Sequence, residues 1–159
     1  MRFILFDKII SLKRWVSCVG IKNVTIGEEY FIDHYSKSPI MPEALMVECV
    51  AQIGGWAITI SSDYKYSTIL AKIGKAKFFT PVRPGDQLSI LVEIVSSNDY
   101  GSIVRGTISV DGSVVAEIDN LSYAHHEVSE SGKIESLDTY IFNSGGFLGS
   151  DGMPKCSID

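Results

Sequence analysis

The sequence predicts a single α+β domain in which an antiparallel sheet encloses one long buried helix. Three observations carry this expectation. The stretch from Pro42 to about Ile60 is apolar on every side, which marks a buried helix. Two strand-like runs precede it and four follow. Turn signals separate the later runs at hairpin spacing. A sheet wrapped around the helix is the natural way to bury it. The chain has 159 residues, the size of one domain, and 45% apolar residues, enough for a real core.

Residues 2–12 and 14–26 are rich in Ile, Val, Phe and Leu and read as strands. Residues 31–41 have no regular period and form an irregular segment before Pro42. Pro42 suits the first helical position, where its missing N–H costs nothing. Leu45, Met46, Val47, Cys49, Val50, Ile53, Trp56, Ile58 and Ile60 point in all directions around the helix. Trp56 reads as core. Glu48 and Gln52 are four apart and share a face with Ala44, Ala51 and Gly55. Gly54 and Gly55 each cost about 1 kcal/mol against Ala inside a helix, so a close neighbour is expected there. Strands are expected at 68–79, 87–96, 102–110 and 113–124. Leu88, Ile90, Val92 and Ile94 recur at every second position. Pro84-Gly85-Asp86 signals a turn, and Asp111-Gly112 a tight hairpin. Asn98 to Gly101 is a second hairpin candidate. Residues 1–126 thus form the domain. Residues 127–159 are rich in Gly and Ser and read as a tail, partly disordered or packed on a neighbour. Tyr140, Ile141, Phe142, Phe147 and Leu148 are its only larger apolar cluster.

The net charge of −5 argues against a nucleic-acid partner. No Gly-rich loop precedes a Lys to cradle phosphate. Cys18, Cys49 and Cys156 are odd in number and far apart, which reads as free thiols in a reducing compartment. None forms a CxxC pair, so no zinc site is expected. Asp7 and Lys8 cut the opening apolar run too short for a signal peptide. Val47 to Ile60 holds Glu48 and Gln52 and reads as too short to span a bilayer. A cytoplasmic protein is expected.

Glu48 is the residue that asks for a reason. Burial of a carboxyl group favours its neutral form, and a neutral acid can protonate a departing oxygen. His34 sits on the loop leading into the helix, and an imidazole, with an unperturbed pKa of roughly 6.5, can serve as a base near neutrality. A base beside a carbonyl and an acid beside a hydroxyl together describe elimination of water. The helix start adds N–H groups, at Glu43 and Ala44, that suit an enolate oxygen. The plain alternatives are a surface role for His34, and for Glu48 a structural hydrogen bond to strand backbone or to Gln52.

The run His34-Tyr-Ser-Lys-Ser-Pro39-Ile-Met41-Pro42-Glu-Ala-Leu45-Met-Val-Glu48-Cys-Val-Ala51-Gln52 closely resembles the signature of bacterial 3-hydroxyacyl-[acyl-carrier-protein] dehydratases. In that signature an acid lies fourteen positions after the His, and a Gln follows it; His34, Glu48 and Gln52 have this spacing, and the resemblance implies that Gln52 binds substrate. Phe3 to Asp7, Ile21 to Thr25, Ala76 to Leu88 and Val110-Asp111-Gly112 also look like the family, so the resemblance spans about residues 2–125. It implies a hotdog fold, a curved antiparallel sheet around a central helix. It implies a homodimer, or three dimers assembled, with His34 from one chain facing Glu48 of the other. The implied substrate is a (3R)-hydroxyacyl chain on acyl carrier protein, and the product a trans-2-enoyl thioester. No cofactor and no metal are implied. A Glu at position 48, where the isomerising branch carries Asp, points to dehydration alone.

Three departures bear on substrate range. Glu43 stands where the family usually has Gly, Ser36 stands where it has Pro, and the usual upstream Pro-His-Arg stretch is missing. Lys65, Lys72, Lys75, Lys77 and Arg83 form a basic cluster suited to docking an acidic carrier, or else line solvated turns. Of Phe78 and Phe79, which straddle a strand, one is expected along the acyl chain, in the core or at a dimer contact. His125 and His126 point opposite ways on a strand and read as surface residues. Two other readings stay open: a hotdog thioesterase, since the fold hosts both chemistries, and a non-catalytic acyl-binding subunit.

Overall fold

A computed structural model describes residues 4–32, 37–128 and 157–158. The elements in chain order are β1 (Lys8–Lys13), β2 (Ser17–Asn23), a 3-10 turn (Glu29–Phe31), α1 (Glu43–Ser61), β3 (Tyr66–Phe78), β4 (Gln87–Ser97), β5 (Gly101–Val110), β6 (Ser113–Glu127) and β7 (Ser157–Ile158). The strands form one sheet in the order β3-β6-β5-β4-β2-β1-β7. Neighbours pair antiparallel from β3 to β1; the short β7 runs parallel to Ser11 and Leu12 of β1. The four strands expected after the helix are all present, with ends shifted by at most three residues. The remainder of the tail, including Tyr140, Ile141, Phe142, Phe147 and Leu148, lies outside the described residues.

The two N-terminal strands are shorter than expected, for local reasons. Residues 4–7 fall outside β1: the Leu5 N–H bonds to the Gln52 side chain on the helix, and the first bond to β2 is from the Asp7 N–H to the Ile21 carbonyl at 2.7 Å. Arg14 to Val16 make the hairpin turn, closed by the Val16 N–H on the Lys13 carbonyl at 3.0 Å. Pro42 is the cap of α1, not its first residue; its ψ of 132° is still extended.

The turn chemistry is as the residues demand. Asp86 N–H closes the Arg83–Asp86 turn at 3.1 Å, with Gly85 at φ +103° where a side chain would be strained. Asp111 and Gly112 both take positive φ, the geometry of a two-residue hairpin that follows strand twist.

The helix is the core. Met46, Cys49, Val50, Ile53, Ala57, Ile58 and Ile60 are essentially inaccessible, facing Cys18, Leu88, Ile90, Val92, Val104, Ile108 and Ile118 of the sheet. Trp56 is half-buried and packs against this cluster. At 19 residues, α1 is long and apolar enough to cross a bilayer by length and composition, contrary to the expectation from its shorter apolar stretch. Most of it is instead enclosed by strands. Contact is close because small residues allow it. Gly106 of β5 lies directly under Val50, and a β-carbon on Gly54 would sit 2.5 Å from the Tyr123 hydroxyl. That hydroxyl donates to the Ala51 carbonyl at 2.9 Å, tying β6 to the helix.

His125 departs from the surface role expected of it, whereas His126 is exposed. The His125 ring stacks on Tyr66 with centroids 4.7 Å apart. Its Nε2 lies 2.9 Å from the Ser102 hydroxyl, which in turn meets Ser97 at 2.7 Å. Tyr66 donates to Asp99 at 3.0 Å and accepts from Lys65 at 2.9 Å. Burial holds the imidazole below its ordinary pKa, while the Asp99 and Asn98 backbone and the Asp99 charge pull the other way.

Two outcomes are expected. Gly106→Ala forces a methyl group into Val50 and lowers unfolding free energy in urea by about 1–3 kcal/mol, part of which Val50→Ala recovers in the double variant. For His125 the folded pKa lies below the unfolded one, so its contribution is complete above pH ~6.5 and fades as pH falls below it. Melting curves between pH 7 and 5 therefore drop less steeply in His125→Gln than in the parent.

Candidate active site

Glu48 lies one turn and a half into α1, on a half-buried face. Gln52 follows one turn later, and its Nε2 donates to Glu48 Oε1 at 2.9 Å. The other end of the same amide accepts the Leu5 N–H at 2.8 Å. Expected as a substrate-binding residue, Gln52 has both ends of its amide engaged within the chain. It holds the Glu48 carboxyl group in one orientation and pins the N-terminal segment across the helix. Among the described residues, Gln52 is the hydrogen-bond partner of that carboxyl group.

Two buried groups feel the charge of Glu48. Burial, then the charge of Glu48, pushes the Tyr123 phenol above its ordinary range, so it keeps the proton it donates to Ala51. Burial likewise pushes the Cys49 thiol up to about 12, with Lys22 opposing and Glu48 reinforcing. Cys18 and Cys49 are both buried.

His34 and Ser36 lie outside the described residues, but the chain on either side of them is anchored. Upstream, the 3-10 turn seats Phe31 in the core at 6% exposure. Downstream, the Arg83 guanidinium donates to the Ser38 hydroxyl at 3.0 Å, and the Met41 N–H donates to the Val82 carbonyl at 2.8 Å. Met41 is buried, so the helix starts from a fixed point. Glu43 and Ala44 open the helix with exposed side chains, and the Leu45 N–H turns back to the Pro42 carbonyl at 2.9 Å. The Glu43 and Ala44 N–H groups have no carbonyl one turn earlier within the helix to receive them.

The remaining expected residues divide. Phe78 ends β3 half-buried against the core, whereas Phe79 is 54% exposed. Lys72, Lys75, Lys77 and Arg83 are all exposed. Lys75 and Lys77 stand opposite Asp119 and Glu117 across the β3–β6 pair, so that part of the face is of mixed sign. Lys65 is engaged with Glu127 and Tyr66, and Arg83 with Ser38.

Sequence reading missed a buried ionic group beside this site. Lys22 is 4% exposed and pairs with Glu28 at 2.5 Å and Asp7 at 3.8 Å. The available signal was a Lys at an inward position of β2, two residues after Gly20 and four after Cys18.

One central helix within an antiparallel sheet makes this a hotdog-fold protein. The smu.793 protein of Streptococcus mutans, solved bound to acetyl CoA, superposes with a TM-score of 0.63 over 80% of this chain and 94% of its own, at 14% identity. That likeness is one of fold. The chain belongs to the FabA-like family, whose domain model matches residues 1–119. It is 41% identical over 116 residues to the 3-hydroxyacyl-[acyl-carrier-protein] dehydratase FabZ of Caldicellulosiruptor saccharolyticus, covering 72% of this chain and 83% of that protein. The protein of the same name from Syntrophotalea carbinolica is 42% identical over 117 residues, covering 72% and 80%.

Replacing Gln52 by Leu removes a donor from Glu48 and an acceptor from Leu5. Each lost bond is worth about 1 kcal/mol, more where the partner stays buried. Gln52→Leu is therefore expected to unfold at lower urea concentration, by about 1–3 kcal/mol.

Proposed function

We propose that this chain removes water from (3R)-3-hydroxyacyl groups carried on acyl carrier protein and yields trans-2-enoyl thioesters, making it a hydro-lyase. The observation that supports it most is Glu48, an acid held by Gln52 on an otherwise apolar helix, in a member of a family whose curated relatives bear that activity in their names. His34 takes the proton from C2, next to the thioester carbonyl. The electrons move to form the C2–C3 double bond, and the C3 hydroxyl leaves as water with the proton of Glu48. The Glu43 and Ala44 N–H groups, at the positive end of the helix dipole, face the charge that grows on the carbonyl oxygen. Phe78 borders the acyl chain. No cofactor or metal takes part.

The working unit is a homodimer, or three such dimers, with His34 and Glu48 of a site contributed by different chains. What supports this is β3, a 13-residue strand with one side unpaired among the described residues and with Ile69 and Ile73 exposed at 63% and 46%. A long apolar edge of this kind pairs with another strand or aggregates. Lys72, Lys75, Lys77 and Arg83 receive the acidic carrier, in the cytoplasm.

The test is hydration of a crotonyl thioester, and dehydration of 3-hydroxyacyl carrier protein of several chain lengths read by mass. His34→Ala and Glu48→Gln are each expected to lower turnover by about 10²–10⁴-fold with the circular dichroism spectrum unchanged. Full turnover in both variants defeats the reading, and release of free thiol makes the protein a thioesterase.

A further inference from the structure

We propose that Lys22 is a positioning residue for this reaction: its buried ammonium group, through Glu28, fixes the upstream foot of the loop that carries His34. The inference rests on the catalytic role proposed for His34.

Lys22 occupies a place where the strand pattern demands an apolar or small side chain. In β2 the inward positions are Cys18, Gly20 and Lys22, and Lys22 lies across from the fully buried Leu88. Its side chain is 6% exposed. An ammonium group in such a place is tolerated only when paired, and here it reaches outward to two carboxylates on separate segments. The two partners are not equivalent. Asp7 lies 3.8 Å away and is already held by the Asn23 N–H at 2.6 Å and the Asn23 side chain at 2.9 Å. Glu28 lies 2.5 Å away, and Lys22 is its side-chain partner among the described residues.

Glu28 is the residue from which the catalytic loop departs. It caps the 3-10 turn, its carbonyl accepts the Phe31 N–H at 3.1 Å, and His34 follows three residues after Phe31. The far end of the loop is held separately, by Arg83 on Ser38 and by Met41 on Val82. The near end is thus held twice, by apolar packing at Phe31 and by the Lys22–Glu28 pair, the charged tether among the described residues. If stability were the only use, a well-packed apolar residue in place of the charge would serve as well or better. A short charge-assisted hydrogen bond adds what apolar packing lacks, a fixed direction and distance. A base that must meet one hydrogen of the substrate loses rate steeply when displaced by a fraction of an ångström.

The experiment measures kcat and KM for crotonyl thioester hydration in the full chain carrying Lys22→Met, Glu28→Gln, or both, alongside thermal melts. Lys22→Met and Glu28→Gln are each expected to lower kcat about tenfold or more, with KM within about threefold of the parent. The double variant is expected to be no slower than Lys22→Met alone, because both changes cut the same tether. A kcat within twofold of the parent in either folded variant overturns the proposal, and so do losses that multiply in the double variant. If Lys22→Met fails to fold, Glu28→Gln decides by the same kcat criterion, since it leaves the Lys paired with Asp7. Failure of the two readings looks different. An inactive His34→Ala beside a fully active Lys22→Met removes the positioning role alone, while an active His34→Ala overturns both.

Discussion

The whole structure depends on burying one apolar helix in the concave side of a single sheet. Among the described residues no other element fills that space, and most of the helix surface is apolar and buried. Contact is made at backbone range, where Gly106 meets Val50 and where Gly54 makes room for Tyr123. The Tyr123 hydroxyl on the Ala51 carbonyl then sets the rotation of the helix within the sheet. Glu48 inherits its place from that rotation. A helix turned by one residue would carry the carboxyl group through about 100°.

Three of the polar groups in this interior are tied to a second segment. Gln52 joins Glu48 to the N-terminal stretch at Leu5. Lys22 joins β2 to Glu28 and Asp7. His125 joins β6 to Ser102 of β5 and to Tyr66 of β3. The Gln52 and Lys22 arrangements pair groups that are costly to leave unpaired away from water, while His125 is bonded through Nε2 and its Nδ1 has no hydrogen-bond partner among the described residues. The first two also lie along the path between the start of the chain and the helix, the region where the proposed chemistry takes place. Rigidity there has a use beyond stability, because proton transfer tolerates little displacement of donor and acceptor.

The hotdog fold alone says little about reaction type, as the distant likeness to an acetyl CoA-bound protein illustrates. What narrows the reading is local: an acid in a fixed orientation near the open end of a helix, preceded by a loop anchored on both sides. The match to the FabA-like family covers residues 1–119 and so includes all of these parts. Residues 120–159 lie beyond it, among them the end of β6 that carries His125.

The sequence by itself determined the element order, the hairpins at Asp111-Gly112 and Asn98–Gly101, the burial of α1 and the pairing of Glu48 with Gln52 on one face. These follow from periodicity and from turn residues whose preferences are local, so they are legible without a fold. The resemblance to the family signature also singled out His34, which lies outside the described residues. Tertiary structure decided what depends on neighbours distant in the chain. It turned Gln52 into a brace for Glu48, and it gave His125 a stacking partner 59 positions away in Tyr66. It left Phe79 exposed beside a half-buried Phe78, and it made Lys22 a buried tether. The physical reason is the same each time: a side chain's pattern tells which way it points, but only the assembled sheet tells what stands there to receive it.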